Sequence, residues 1–171
     1  MSSPSPELRA DEILRRLTTR GVDYVVVGGI AAVLHGSARN TFDLDLCFAT
    51  DRANLDALGA VLVELGARLR GVDGDLPFVP DGDALARVEL LMLETAAGNL
   101  DVLARPPGAP SYEALRRNAE RFDLGGFTVL VASLDDLMAM KRTADRAKDR
   151  ADLVELAAIK RQRRRLERGG G

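Results

Sequence analysis

The chain has a single cysteine, Cys47, a single histidine, His35, and no tryptophan, and aromatic residues make up only 4% of it. One thiol excludes an internal disulfide and leaves no thiolate cluster for zinc. Cys47 therefore reads as a small buried apolar side chain rather than a reactive group. Lysine is also scarce: Lys141, Lys148 and Lys160 stand alone among arginines, so the place of each is informative. No apolar run nears the roughly 18 residues of a membrane span, and the N-terminus MSSPSPELRADE lacks the apolar stretch of a signal peptide. The expectation is a cytoplasmic protein with no membrane partner. A formal charge of -2 creates no global field toward nucleic acid.

What is present is ordinary soluble composition, 46% hydrophobic and 29% charged over 171 residues. A chain of this size buries about 70% of its unfolded surface, enough for a core without staples. The expectation is one domain over residues 1–171, with a core at about 21–132 and C-terminal helices at about 133–168. Gly71 to Asp83 is rich in turn residues and acids and reads as a loop; its aspartates lack calcium-loop spacing and are assigned to solvent.

Local patterns predict α/β elements in a mixed sheet with flanking helices. Ser5, Pro6 and Glu7 resemble a helix start, and Leu8, Ile13, Leu14 and Leu17 follow at helical spacing until Gly21. Tyr24 to Val27 is a short β-branched strand ended by Gly28-Gly29, which opens a short helix. Asp43 to Ala49 is a second strand, after which Asp51 caps a helix striped by Leu55, Leu58, Leu62 and Leu65. Val88 to Thr95 and Leu100 to Ala104 predict an antiparallel hairpin. Ser111 starts a helix to about Phe122, Phe127 to Val131 is a strand, and Ser133 with Asp136 opens a helix running past Lys141. A last helix is expected from about Lys148 to Arg165.

The chemistry begins with carboxylates inside apolar strands. Side chains alternate along a strand, so Asp43 and Asp45 share one face about 6.6 Å apart, while Leu44, Leu46 and Phe48 point the other way. An unpaired buried carboxylate is costly. Asp101, inside a neighbouring strand, could complete a cluster that repels itself unless a cation holds it. Hard oxygen donors suit Mg²⁺ or Mn²⁺, which also bind substrate phosphates. Gly28 and Gly29 let phosphate oxygens approach backbone N–H groups without a Cβ in the way. Lys141 continues the buried stripe of Leu134, Leu137 and Met138, so it wants an anion: a phosphate or a core carboxylate.

In this order the segments VVVGGIAAVLHGSARNTFDLDL, GNLDVL and SLDDLMAMKRTADRAKDRADL resemble the polymerase-β-like nucleotidyltransferase superfamily. They are similar to its small bacterial branch of minimal nucleotidyltransferases and abortive-infection, type IV toxin enzymes. The resemblance implies the nucleotidyltransferase fold and Mg²⁺-dependent transfer of a nucleoside monophosphate from an NTP to an acceptor hydroxyl. It makes Asp43 and Asp45 paired metal ligands and Asp101 the third ligand and general base. Gly28 and Gly29 match the phosphate-binding turn, although many relatives carry serine where this chain has Gly29. Arg39 and Thr41 match the approach to the Asp-x-Asp strand, where an arginine meets phosphate or orients an aspartate. Lys148, Asp149 and Asp152 match a terminal pattern in which Asp149 orients Lys141 or the nucleotide, or caps a surface helix.

The acceptor is left open between RNA or tRNA ends, a protein side chain and a small hydroxylated molecule. The resemblance also admits an antitoxin-like protein partner, and a degenerate nucleotide-binding module is the alternative to an enzyme. The basic run KRQRRRLER from Lys160 to Arg168 is either an RNA contact or a solvated last turn; without aromatic residues to stack on bases, the solvated turn is the simpler reading. His35 is expected to be structural.

Overall fold

A computed structural model describes residues 6–72 and 78–170. Ser5 and the loop residues 73–77 lie outside the described residues. Among the described residues, seven strands form one mixed sheet in the order β3-β4-β5-β2-β1-β7-β6: β1 Tyr24–Val27, β2 Asp43–Phe48, β3 Arg68–Leu69, β4 Leu90–Thr95, β5 Gly98–Leu103, β6 Glu120–Asp123 and β7 Thr128–Val131. The central strand β2 runs antiparallel to β1 and parallel to β5.

The pairing of β2 with β5 positions the site. Asp43 stands opposite Asn99 and Asp45 opposite Asp101, so period-2 alternation gathers four polar side chains on one face. The other face carries Leu44, Leu46, Leu100 and Val102, all fully or almost fully buried. There they join one apolar cluster with Ile13, Leu14 and Leu17 of helix α1 (Ala10–Thr19) and Leu55, Leu58 and Leu62 of α3 (Arg52–Glu64). Asp51 caps α3 by accepting from the Asn54 N–H at 3.0 Å.

Helix α1 starts at Ala10, not near Ser5. The Arg9 N–H donates to the Ala97 carbonyl at 2.8 Å and the Arg9 guanidinium to Ala96, which ties the preceding residues to the β4–β5 turn before the helix begins. Helix α5 (Tyr112–Asn118), capped by Ser111, stops short of Phe122 because Glu120–Asp123 pair with β7 as an edge strand. Glu-Arg-Phe-Asp has three charged residues and no apolar alternation to mark it as a strand.

Helix α2 (Gly28–Leu34) leaves directly from β1, and the short helix α4 (Gly82–Leu85) lies in the expected loop region. Helix α6 (Leu134–Ala144) is capped by Ser133, whose hydroxyl accepts from the Asp136 N–H at 3.1 Å. Asp145 then adopts a left-handed conformation, φ +44°, one of the few non-glycine residues suited to it. The chain reverses there, and α7 (Ala147–Gly169) packs its first turn against the end of α6. No described helix is long and apolar enough to cross a membrane.

Candidate active site

The end of β1, the faces of β2 and β5, and the α6–α7 corner enclose a cleft of about 320 Å³. Its lining includes Gly28, Gly29, Arg39, Thr41, Asp43, Asp45, Asp101, Lys141, Lys148 and Asp149, all singled out from the sequence, together with Arg146; Asp152 of the terminal pattern is not in the lining. Residues more than 100 positions apart meet because β5, β2 and β1 are consecutive in the sheet and α6 and the start of α7 line the same cleft.

Gly28 has φ +68°, and a Cβ there would collide with the Asp45 carboxylate. Only glycine allows the β1–α2 turn and Asp45 to approach this closely. A Cβ on Gly29 would come within 2.6 Å of the Thr41 hydroxyl, which itself donates to the Asp43 carbonyl at 3.2 Å. Thr41 therefore brings a hydroxyl beside the turn at which this chain lacks a serine.

Burial, followed by the nearby charges of Asp101 and Asp43, pushes the Asp45 carboxyl up to about 7. Burial also raises Asp101, against the opposing pull of the Arg70 guanidinium. Asp45 and Asp101 are close enough to hydrogen-bond carboxyl to carboxylate, which requires one of them to be protonated or a cation to replace the proton. Asn99 donates to Asp43 Oδ1 at 3.1 Å, and its own Oδ1 is buried without a partner.

Arg70 was not apparent from the sequence. It follows the two-residue strand β3, and its N–H donates to the Met92 carbonyl at 2.9 Å. From the far side of β4 its side chain donates to Asp101 Oδ1 at 2.8 Å and reaches Asp43 Oδ1 at 3.5 Å. The sole local signal is arginine on either side of Leu69, too short a pattern to mark a strand.

The hard-oxygen donor set, the two carboxyls raised by burial and the unpartnered Asn99 oxygen fit a divalent cation. In the arrangement shown it is not a ready-made cage. Among the described residues, no group of three or more His, Cys, Asp or Glu is gathered closely enough to hold a metal ion. Arg70 supplies the countercharge instead.

On the opposite wall Lys141 donates to Asp149 at 3.2 Å and lies 2.8 Å from Asp152. Asp149 is fully buried, and the Arg146 side chain, then its backbone N–H and Lys141, hold its carboxyl well below the usual carboxylate range. The carboxylate also caps α7 through the Arg146 N–H at 3.1 Å, so orienting Lys141 and capping a helix are one role here rather than two. Arg39 pairs with Asp152, which places its guanidinium at the cleft edge.

His35 is buried outside the cleft lining. Its Nε2 donates to the Ala132 carbonyl at 2.8 Å, its Nδ1 accepts from Arg163 at 2.9 Å, and its ring meets Phe122 edge-on. It joins α2 to β7 and α7. Cys47 is buried, as expected.

A mixed sheet that sets an Asp-x-Asp strand beside a third aspartate and a glycine turn defines a nucleotidyltransferase. A family model described as "Nucleotidyl transferase AbiEii toxin, Type IV TA system" matches residues 12–167, and the chain belongs to that family. Among solved structures it is similar to the lincosamide antibiotic adenylyltransferase LnuA with lincomycin bound, at 17% identity and a TM-score of 0.62, covering 90% of this chain and 99% of that one. It is also similar to ANT(2'')-Ia in complex with adenylyl-2''-tobramycin, at 19% identity and a TM-score of 0.55, covering 92% and 90%. At these identities the likeness is one of fold. A curated catalase-peroxidase from Pseudoalteromonas atlantica is 25% identical over 136 residues. The chain spans only 18% of that protein's length, so nothing of its activity carries over.

Proposed function

We propose that this chain transfers a nucleoside monophosphate from an NTP to an acceptor hydroxyl, with Asp43, Asp45 and Asp101 as the reacting carboxylates. The observation that carries this reading is the register of β2 with β5, which sets Asp45 against Asp101 beside the Gly28 turn. Asp43, Asp45 and Asp101 would hold Mg²⁺ or Mn²⁺. A bound divalent ion supplies charge neutralisation for the triphosphate and for the attacking oxygen.

The chain's own residues do the positioning. Gly28 and Gly29 offer backbone N–H groups to the phosphates, while Arg39, Lys141, Arg146 and Lys148 place four cations on the cleft wall. Asp149 and Asp152 aim the Lys141 ammonium. Asp101 accepts the proton of the acceptor hydroxyl as the oxygen attacks the α-phosphorus in line and pyrophosphate leaves. Thr41 buttresses the turn at Gly29.

The acceptor best supported is an RNA end, with the chain acting as the toxin of a toxin–antitoxin pair and restrained by a protein partner. The first turn of α7 lines the cleft, and the helix then extends about 33 Å. Its far half exposes Arg161, Arg164, Arg165 and Arg168, a basic track for phosphates leading away from the site.

Incubation with each labelled NTP, Mg²⁺, and either total cellular RNA or whole lysate tests the reading. Label should enter RNA with the wild type and fall at least about a thousandfold in Asp43→Ala and Asp101→Ala. Equal labelling by the variants overturns the assigned site. Label in protein or small molecules alone overturns the RNA acceptor. Tight Mg-NTP binding with no incorporation from any pool would instead identify a nucleotide-binding module.

A further inference from the structure

We infer that Arg70 is a resident counter-ion that competes with the divalent cation for Asp101 and Asp43, so that the site accepts the ion only as Arg70 withdraws. The inference rests on the reading of these carboxylates given above.

Arg70 Nη2 engages Asp101 Oδ1 at 2.8 Å, and Arg70 Nη1 reaches Asp43 Oδ1 at 3.5 Å. Asp45 stands opposite Asp101 on the neighbouring strand, so Arg70 is the cation that answers this group of carboxylates at Asp101. A divalent ion held by Asp43, Asp45 and Asp101 would draw on the same two carboxylates that Arg70 engages through Asp101 Oδ1 and Asp43 Oδ1. A guanidinium and a divalent ion cannot share that space, because both are cations drawn to the same lone pairs.

Lys141 does not play this part. Its ammonium is engaged by Asp149 and Asp152 on the opposite wall. Nor is Arg70 locked in the core. Its side chain remains 23% exposed, it leaves a two-residue edge strand, and Gly71 follows at φ +77°. Withdrawal of the side chain breaks one good charge-assisted hydrogen bond and one long one.

A clamp that merely holds the carboxylates in place makes the opposite prediction. If Arg70 organised the cation site, its loss would weaken ion binding; if it competes, its loss must strengthen it.

The test is Mn²⁺ binding to the full chain, followed by electron paramagnetic resonance at fixed pH and ionic strength. The set is wild type, Arg70→Ala, Arg70→Gln and Asp101→Asn, with folding checked by circular dichroism. Arg70→Ala and Arg70→Gln should bind Mn²⁺ about tenfold tighter or more, and Asp101→Asn should lose binding. The glutamine variant keeps the side-chain length if alanine impairs folding.

Affinity unchanged or weaker in the Arg70 variants, with Asp101→Asn still losing binding, overturns the competition and leaves the carboxylate site standing. Equal binding by wild type and Asp101→Asn overturns the carboxylate site itself.

Discussion

Asp45 of β2 stands directly opposite Asp101 of β5, and the two carboxyl groups face each other across adjacent parallel strands at the floor of the cleft. Burial raises both carboxyls, and this pair and three other features of the fold have measurable consequences.

The first concerns pH. Asp45 has its carboxyl raised from 3.8 to about 7 in the folded chain. A folded value above the unfolded one favours the protonated form. The contribution to stability is therefore complete below about pH 4 and is lost as pH rises toward 7, by at most about 4 kcal/mol. Without divalent ions, the melting temperature should fall from this cause between about pH 4 and about pH 7. Mg²⁺ should restore it at the upper end and do little at the lower. Asp45→Asn should remove both effects in a fluorimetric melt, and a cation response identical at the two ends would contradict the assignment.

Asp149 is the second. Its lowered carboxyl contributes stability that is present above the ordinary carboxylate range and lost as pH falls through the folded value. Asp149→Ala leaves the Lys141 ammonium short of a partner and uncaps α7, which should cost about 3 kcal/mol in chemical denaturation. Lys141→Met should also destabilise, because it withdraws one donor from a fully buried carboxylate. Nucleotide binding, read by calorimetry, should weaken in both variants; undiminished affinity would exclude Lys141 from the phosphate site.

Gly28 and Gly29 should not be equivalent. Gly28→Ala forces a left-handed conformation on alanine, costing about 1 kcal/mol or more, and drives a methyl group into the Asp45 carboxylate. Gly29→Ala meets the Thr41 side chain, but without the left-handed backbone that Gly28 has. NTP-transfer assays should find Gly28→Ala essentially inactive and Gly29→Ala impaired but active. Equal losses would mean that Thr41 is as rigidly placed as Asp45.

His35 separates structure from chemistry. Burial lowers its pKa, so its neutral form supports the fold above about pH 6.5, and that support is lost as pH falls through the depressed value. His35→Gln should cost about 1 to 2 kcal/mol by removing a buried hydrogen-bonded bridge. Transfer activity per folded molecule should stay close to wild type, and a loss of activity without a loss of stability would move His35 into the machinery.

Much of this site could be read along the chain because its parts are local patterns. Strand alternation announced that Asp43 and Asp45 share a face, the glycine pair marked a turn between strand and helix, and a lysine on an apolar stripe marked Lys141 as unusual. Those features arise from backbone period and sterics, which act over a few residues. The same logic found β1, β2 and α3 within a residue or two of their ends, and the start of α6.

The misses share a different cause. The start of α1 is set by hydrogen bonds to Ala96 and Ala97, nearly ninety positions away, and β6 exists because β7 offers an edge. Neither partner leaves a trace in the local sequence.

By itself, then, the sequence determined that Asp43 and Asp45 share a strand face and that a glycine turn precedes them, since alternation and glycine's conformational freedom are properties of short segments. The tertiary structure alone decided their relations. Strand order brought Asp101 to Asp45, the reversal at Asp145 brought Asp149 to Lys141, and a two-residue edge strand sent Arg70 across β4 to the carboxylates. Charge neutralisation acts through space, and the partner that answers a buried charge is chosen by packing rather than by nearness along the chain.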